Sequence, residues 1–234
     1  MSELTTNELF DLTHTKHAEL FDDVEYAWEV IPLIEQYLEY IQKSPKIQGT
    51  VSKLAVIEGK VSLGKGSVVE AGAVIHGPTI IGENTTIRSG ALIRGGAIIG
   101  DNCMVGNSTE IKNALLFDGA IAPHFNYIGD TVLGYKVHLG SSVVISNLKT
   151  PPGEIVVSTL QQTYNTGLTK FGALIGDETE IGANAVLNPG TVIGKRCIIY
   201  PLALIRGVVT TDSIVKVRQQ HEVVTRRQTE FSLD

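Results

Sequence analysis

The sequence predicts an all-β fold, a parallel β-helix preceded by a short N-terminal helical segment, and three observations carry that prediction. An apolar residue recurs at every sixth position: Val51, Ile57, Leu63, Val69, Ile75, Ile81, Ile87, Ile93, Ile99, Val105, Ile111 and Phe117. Three residues after such positions stand Gly66, Gly72, Asn84, Gly90, Gly96 and Asn102, residue types that tolerate positive φ and so mark turns. Four residues after them the side chains are small: Ser67, Ala73, Thr79, Thr85, Ala91, Ala97, Cys103 and Thr109. A helix of about 3.6 residues per turn would scatter this period around its circumference. A plain strand would favour every second residue instead. Short strands joined by turns, with one aliphatic per unit, bury a core only when coils stack on one another.

The elements follow in order. Residues 1–46 form the N-terminal segment. Its opening stretch, 1–21, shows no clear period, whereas Trp28, Ile31, Ile34, Leu38 and Ile41 predict a packing helix over residues 22–43. Asp22 or Asp23 is the expected cap, Pro32 either divides the segment or starts the main helix, and Pro45 lies past its end. The β-helix is expected over 47–210, with about seven to eight coils. The repeat returns at Leu133, Leu139 and Ile145, and again from Ile175 through Ile181, Leu187, Ile193, Ile199 and Ile205. Between these stretches, residues 148–173 carry Pro151, Pro152 and Gly153 and predict a projecting loop. Residues 211–234 are charged and leave the repeat.

Composition narrows the function classes. The chain has 234 residues, a net charge of −6 and 43% hydrophobic residues. An acidic balance argues against general nucleic-acid binding. No apolar run approaches the ~18 residues of a membrane span, and the N-terminus lacks a basic and apolar leader, so a cytoplasmic protein without a membrane partner is expected. Cys103 and Cys197 form no CxxC pair, and both occupy the small-residue slot, so they read as buried fillers.

The repeat, aliphatic-Gly-x-x-small-x, resembles that of the hexapeptide-repeat acyltransferase family. The resemblance implies a left-handed parallel β-helix with about 18 residues per coil. Residues one coil apart then stack about 4.8 Å apart. His76, Arg94 and Lys112 are spaced 18 and 18, so they form one row along an edge. Stacked cations repel, and an anion such as phosphate would relieve them; solvated surface cations are the simpler alternative.

The rhythm breaks within "APHFNYIGD", residues 122–130. Continuing in sixes from Phe117 gives Pro123 and Gly129, while counting back from Leu133 gives Tyr127 and Ile121. The register therefore shifts by two residues between Phe117 and Leu133, and His124 is expected inside that dislocation.

The stretch from Arg94 to Asn147 is similar to the acetyltransferase half of the bifunctional N-acetylglucosamine-1-phosphate uridyltransferases, down to the string His-x-x-Tyr-aliphatic-Gly-Asp-x-x-aliphatic-Gly. The resemblance implies transfer of acetyl from acetyl-CoA to an amino-sugar phosphate or a nucleotide sugar, without a metal, by a homotrimer. It implies that Arg94 and Lys112 hold the phosphate and that His124 is the general base. Tyr127, His138, Asn147 and Lys170 fall at substrate-contacting positions, the Ser141 N–H supports the thioester carbonyl, and Arg218 meets CoA phosphates. The chain departs from the pattern at several points. His138 replaces an asparagine, Ser141 and Ser142 replace an Ala-Gly pair, Asn147 lies in "SNLK", and the loop before Lys170 is longer. The chemistry asks only that a histidine with a pKa near 6.5 accept the amine proton. Two other readings are a noncatalytic nucleotide-sugar-binding β-helix and a zinc enzyme of the carbonic anhydrase type. The spacing of His76, His124 and His138 does not match the latter.

Overall fold

Three short strands per coil build a three-faced left-handed parallel β-helix; the computed structural model describes residues 4–218 and 220–225. Face A is a sheet of nine parallel strands running from Thr50–Val51 to Ile214–Val215. Faces B and C join into one 14-stranded sheet, because Glu110–Leu116 and Tyr127–Leu133 run unbroken through the corner between them. The helix extends beyond the expected residue 210: Ile199 pairs with Val215 in a shortened last coil, which a count in sixes does not reach.

The predicted slots hold. Inside lies an aliphatic column in which Ile57, Ile75, Ile93, Ile111, Ile128, Ile145, Leu187 and Ile205 stack in register on face B. Each fully buried aliphatic stabilises the fold by about 1.5–3 kcal/mol before entropy is counted. Gly66, Gly72, Asn84, Gly90, Gly96 and Asn102 all have positive φ, between 53° and 77°. Cys103 and Cys197 are buried, and their thiols donate to the carbonyls of Phe117 and Thr210 at 3.2 and 3.1 Å. Gly106 is fixed by close approach: a Cβ there would lie 1.6 Å from the carbonyl oxygen of Pro123 in the next coil.

The register shift differs from the sequence expectation. Leu116, not Phe117, enters the core, pairing with Ile99 on one side and Leu133 on the other. Ala122 and Ile128, not Ile121 and Tyr127, point inward. The two-residue shift is made of two single-residue deletions at the corner between faces B and C. One lies between Ile111 and Leu116 and the other between Ile128 and Leu133. At each deletion the turn residue moves one place earlier, to Asn113 (φ 46°) and Asp130 (φ 48°). His124 therefore lies outside the dislocation, at the end of the strand Ile121–His124 and just before the ordinary turn at Phe125.

Displaced outward, Phe117 packs against Phe10 and Phe21 of the N-terminal segment, with ring centroids 5.2 and 6.0 Å away. That segment covers face C through Leu9, Phe10, Phe21, Trp28, Ile31 and Ile34. It is a strap more than a long helix: Thr6–Leu9 and Ile34–Ile41 are α-helical, and Ala27–Leu33 is 3-10 with Pro32 inside it. Proline removes an N–H, so the α-helix begins only beyond it. The cap is not Asp22 or Asp23, because the Glu29 carboxylate accepts from the N–H groups of Glu25 and Tyr26. The insertion is a hairpin, Val156–Ser158 against Thr163–Asn165, anchored by buried Ile155 and Val157. Of the charged tail, residues 211–215 still belong to the last coil through Ile214–Val215, residues 216–218 and 220–225 contain no strand, and residues 219 and 226–234 lie outside the described residues.

Candidate active site

The corner between faces B and C gathers the polar residues. Lys112 pairs in register with Gly129, and Ile93 with Ile111, so Arg94 and Lys112 stack as the spacing predicts. Their charges are already balanced. Arg94 Nη1 donates to Glu110 Oε1 at 2.8 Å, Lys112 Nζ lies 3.9 Å from Asp130 Oδ2, and His76 Nδ1 lies 3.1 Å from Glu58 Oε2. The expected repulsion is relieved by neighbouring carboxylates, so repulsion alone does not call for a bound anion. Arg94 is held above its ordinary pKa by that hydrogen bond to Glu110.

Behind the cations runs a ladder. Asn113, Asp130 and Asn147 are spaced 17 and 17. Asp130, 3% exposed, accepts from Asn113 Nδ2 at 2.8 Å through one oxygen and from Asn147 Nδ2 through the other. Two amides and a nearby ammonium satisfy a carboxylate that would be costly to bury alone. Gly129 leaves room above the ladder: a Cβ there would be 2.8 Å from both Tyr127 Oη and Asn147 Nδ2. Burial raises the Tyr127 hydroxyl above its ordinary pKa, so it stays protonated and able to donate at neutral pH.

His124 and Ser141 occupy the other corner, between faces A and B. His124 is exposed and continues the row of Asn107. Its carbonyl accepts from Ser142 N–H at 3.0 Å, while Asn126 Nδ2 donates to the Gly140 carbonyl at 2.8 Å. The Ser141 N–H donates to no protein group among the described residues. Phe125, 55% exposed at φ 54°, stands beside the imidazole. His138 lies on face A between Ile121 and Glu180, beside a cavity of about 340 Å³ that Gly140, Gly182, Tyr200 and Pro201 help to line.

Arg94, Lys112, Tyr127 and Asn147 are thus brought together on one edge. His124 and Ser141 sit across face B, a width of roughly 10 Å at about 3.3 Å per residue. Lys170 is exposed where the insertion rejoins the coil; its neighbour Phe171 donates its N–H to the Asn147 carbonyl at 3.1 Å. Arg218 is exposed beyond the last paired strand. Among the described residues, no hydrogen bond or ion pair joins Lys170 or Arg218 to the cluster. No group of three or more His, Cys, Asp or Glu among the described residues is placed to hold a metal ion. Sequence reasoning missed Glu110, Asn113 and Asp130; a search at spacing 17 finds the last two.

A family profile described as the GMPPB C-terminal domain matches residues 41–162, more than half of the chain. The chain belongs to this family. A second profile, bacterial transferase hexapeptide (six repeats), matches residues 172–207, so hexapeptide repeats follow the insertion. A bifunctional sugar-1-phosphate nucleotidylyltransferase/acetyltransferase of Sulfurisphaera tokodaii is 31% identical over 195 residues, covering 83% of this chain and 48% of the relative. Two proteins of Methanococcus maripaludis named bifunctional protein GlmU are similar as well. The strain S2 protein is 34% identical over 209 residues and the strain C7 protein 36% over 207, each match covering 88% of this chain and 50% of the relative. The chain spans about half the length of these curated relatives.

Proposed function

We propose that this hexapeptide-repeat chain is a CoA-dependent N-acyltransferase acting on an amino-sugar phosphate or nucleotide sugar. One observation carries the reading. Exposed His124 and the Ser141 N–H, which donates to no protein group among the described residues, lie one strand width across face B from a Lys112–Tyr127–Asn147 cluster held by buried Asp130. The names of the relatives, sugar-1-phosphate nucleotidylyltransferase/acetyltransferase among them, support the substrate class.

In this mechanism His124 accepts a proton from the sugar amine as the amine nitrogen attacks the thioester carbon. The Ser141 N–H donates to the carbonyl oxygen as negative charge develops there. The carbon–sulfur bond then breaks, and the departing thiolate takes a proton from the imidazolium. Lys112 and Arg94 orient the phosphate, which fixes the amine near the thioester. Both edges lie on the outside of a single coil stack, so a homotrimer in which a second copy closes over face B belongs to the same reading. So does a cytoplasmic location.

The test is purified protein with acetyl-CoA and a panel of amino-sugar phosphates and amino nucleotide sugars, following release of CoA thiol. The chain's own cysteines contribute little background, since burial pushes the Cys103 thiol up to about 12. We expect thiol release with one panel member and a loss of about 100-fold or more in kcat for His124→Ala. No release across the panel would refute the enzyme reading.

A further inference from the structure

The insertion encloses a second place of interest, on the same edge as the Asp130 ladder and beyond its last rung, Asn147. A cavity of about 450 Å³ lies between the hairpin and the edge of the coils, within the size range of small-ligand sites. Its floor continues the row that holds Arg94 and Lys112. Ser146, Asn188 and Arg206 follow one another in successive coils, since Ile145 pairs with Leu187 and Leu187 with Ile205.

The roof is built into place. Ile155 and Val157 are 2% and 0% exposed in the packed cluster around Trp28. Strand alternation then turns Val156 and Ser158 toward the cavity. Two glycines on stacked turns let the hairpin sit this close. A Cβ on Gly190 would be 2.7 Å from Ile155 Cγ2, and one on Gly207 would be 3.2 Å from the Ser158 carbonyl oxygen.

The charge balance here is opposite to that of the rest of the chain. Lys149 and Arg206 border the cavity, and none of its lining residues is acidic. Glu154 is the sole acid of the insertion, and its carboxylate accepts from Gly167 N–H at 2.9 Å. Lys149 Nζ donates to the Glu154 main-chain carbonyl at 3.2 Å, a neutral partner. Among the described residues neither cation has a carboxylate within ion-pair distance, whereas Arg94 and Lys112 both do. The net charge of the whole chain is −6. Hydroxyls and an amide, including Ser146, Thr150 and Asn188, lie beside the cations, and Leu148, Val156 and Pro189 supply an apolar wall.

We propose that this cavity binds a nucleoside diphosphate, free or as part of a larger ester. Lys149 and Arg206 would take the phosphates, and the apolar wall would take the base or ribose. Arg and Lys bind phosphate oxygens through charge-assisted hydrogen bonds, and the preformed roof lowers the ordering cost of binding. The proposal holds whether or not the chain transfers an acyl group.

The experiment is calorimetric titration of the full chain with UDP, ADP, uridine and inorganic pyrophosphate at two salt concentrations. It is repeated with the Lys149→Gln/Arg206→Gln double variant and with Lys112→Gln. Both cations of the double variant are exposed, so folding is expected to be unaffected, and a thermal melt verifies it. We expect UDP or ADP to bind, more weakly at higher salt, with Kd raised at least about tenfold in the double variant and unchanged in Lys112→Gln. Uridine is expected to bind far more weakly than UDP. Any of four results would overturn the proposal. These are no nucleotide binding at millimolar concentration, no effect of the double variant, binding lost instead in Lys112→Gln, or pyrophosphate binding as tightly as the nucleotides.

Discussion

The coils from Val51 to Ile99 and those from Ile99 to Ile145 share one core but differ by a single residue per turn. In the first set Ile57 pairs with Ile75 and Ile81 with Ile99, each three whole hexads on. In the second, Ile99 pairs with Leu116, Ile111 with Ile128 and Ile128 with Ile145, each one position short of that. The aliphatic column is undisturbed. What changes is one corner. In the full coils it turns through glycines such as Gly59 and Gly96; in the short coils it turns through Asn113 and Asp130. Shortening a turn thus replaces an inert bend with hydrogen-bonding side chains, of which buried Asp130 holds Lys112 and Asn147. The site is a local exception in a corner, made without any change in the wall.

The largest expected effect falls on the opposite corner of the same short coils. Gly106→Ala would set a methyl 1.6 Å from the Pro123 carbonyl oxygen, which is backbone and cannot rotate away. Loss of stability above about 4 kcal/mol, or failure to fold, is expected. Soluble yield and a denaturant titration measure it. A loss of about 1 kcal/mol or less would mean that coil spacing around His124 is looser than the structure shows, since an unstrained Gly→Ala stabilises a protein by about 0.4–1 kcal/mol.

Next in size is the ladder. Asp130→Ala leaves two amides and Lys112 without their shared acceptor, and a loss of about 3 kcal/mol is expected. Asp130→Asn keeps the shape and should cost less. If Asp130 also positions the site, the Asn variant raises KM for the amino-sugar acceptor while leaving KM for acetyl-CoA unchanged. Equal changes in both would reduce Asp130 to a packing role.

The short coils also carry the strap, because their long strands turn Leu115, Phe117 and Val132 outward to meet it. His17 reports on that contact. Its Nδ1 lies 2.9 Å from Tyr37 Oη, which donates to Glu19, and burial lowers its pKa to about 4. The folded state then resists protonation while the unfolded chain, at about 6.5, accepts it. Stability is therefore expected to fall as pH drops from about 6.5 toward 4, by up to about 3 kcal/mol from this group. His17→Gln should flatten that part of the profile. An unchanged profile would show that His17 is already solvated in the native state.

How much of this was legible follows from which forces write themselves into a period. The column from Val51 to Ile111, the turn slot at Gly72 and Asn84, and buried Cys103 each repeat, so counting finds them. Arg94 over Lys112 follows from the same count. Leu116 and Phe117 are adjacent and both apolar, so sequence alone could not tell which faces the core; the strap decides it by burying Phe117 from outside. Glu110 and Asp130 were invisible as partners because their role depends on the shortened coil, while the resemblance supplied the full one. The strap itself has no period, since it is shaped to face C more than to its own hydrogen bonds.

The smallest expected effect isolates conformation from contact. Gly72 has φ +77°, like the turn residues of the full coils, but a Cβ there would meet only Gly90 N, at 3.9 Å. Gly72→Ala therefore carries the left-handed backbone cost without a clash, about 1 kcal/mol. Gly72→Asn should cost less, because Asn84 and Asn102 hold the same slot at φ 53° and 55°. Denaturant midpoints of the two variants, set beside Gly106→Ala, separate the two uses of glycine. If Gly72→Ala matched Gly106→Ala, close approach would govern both corners, and the full coils would be as tightly constrained as the short ones.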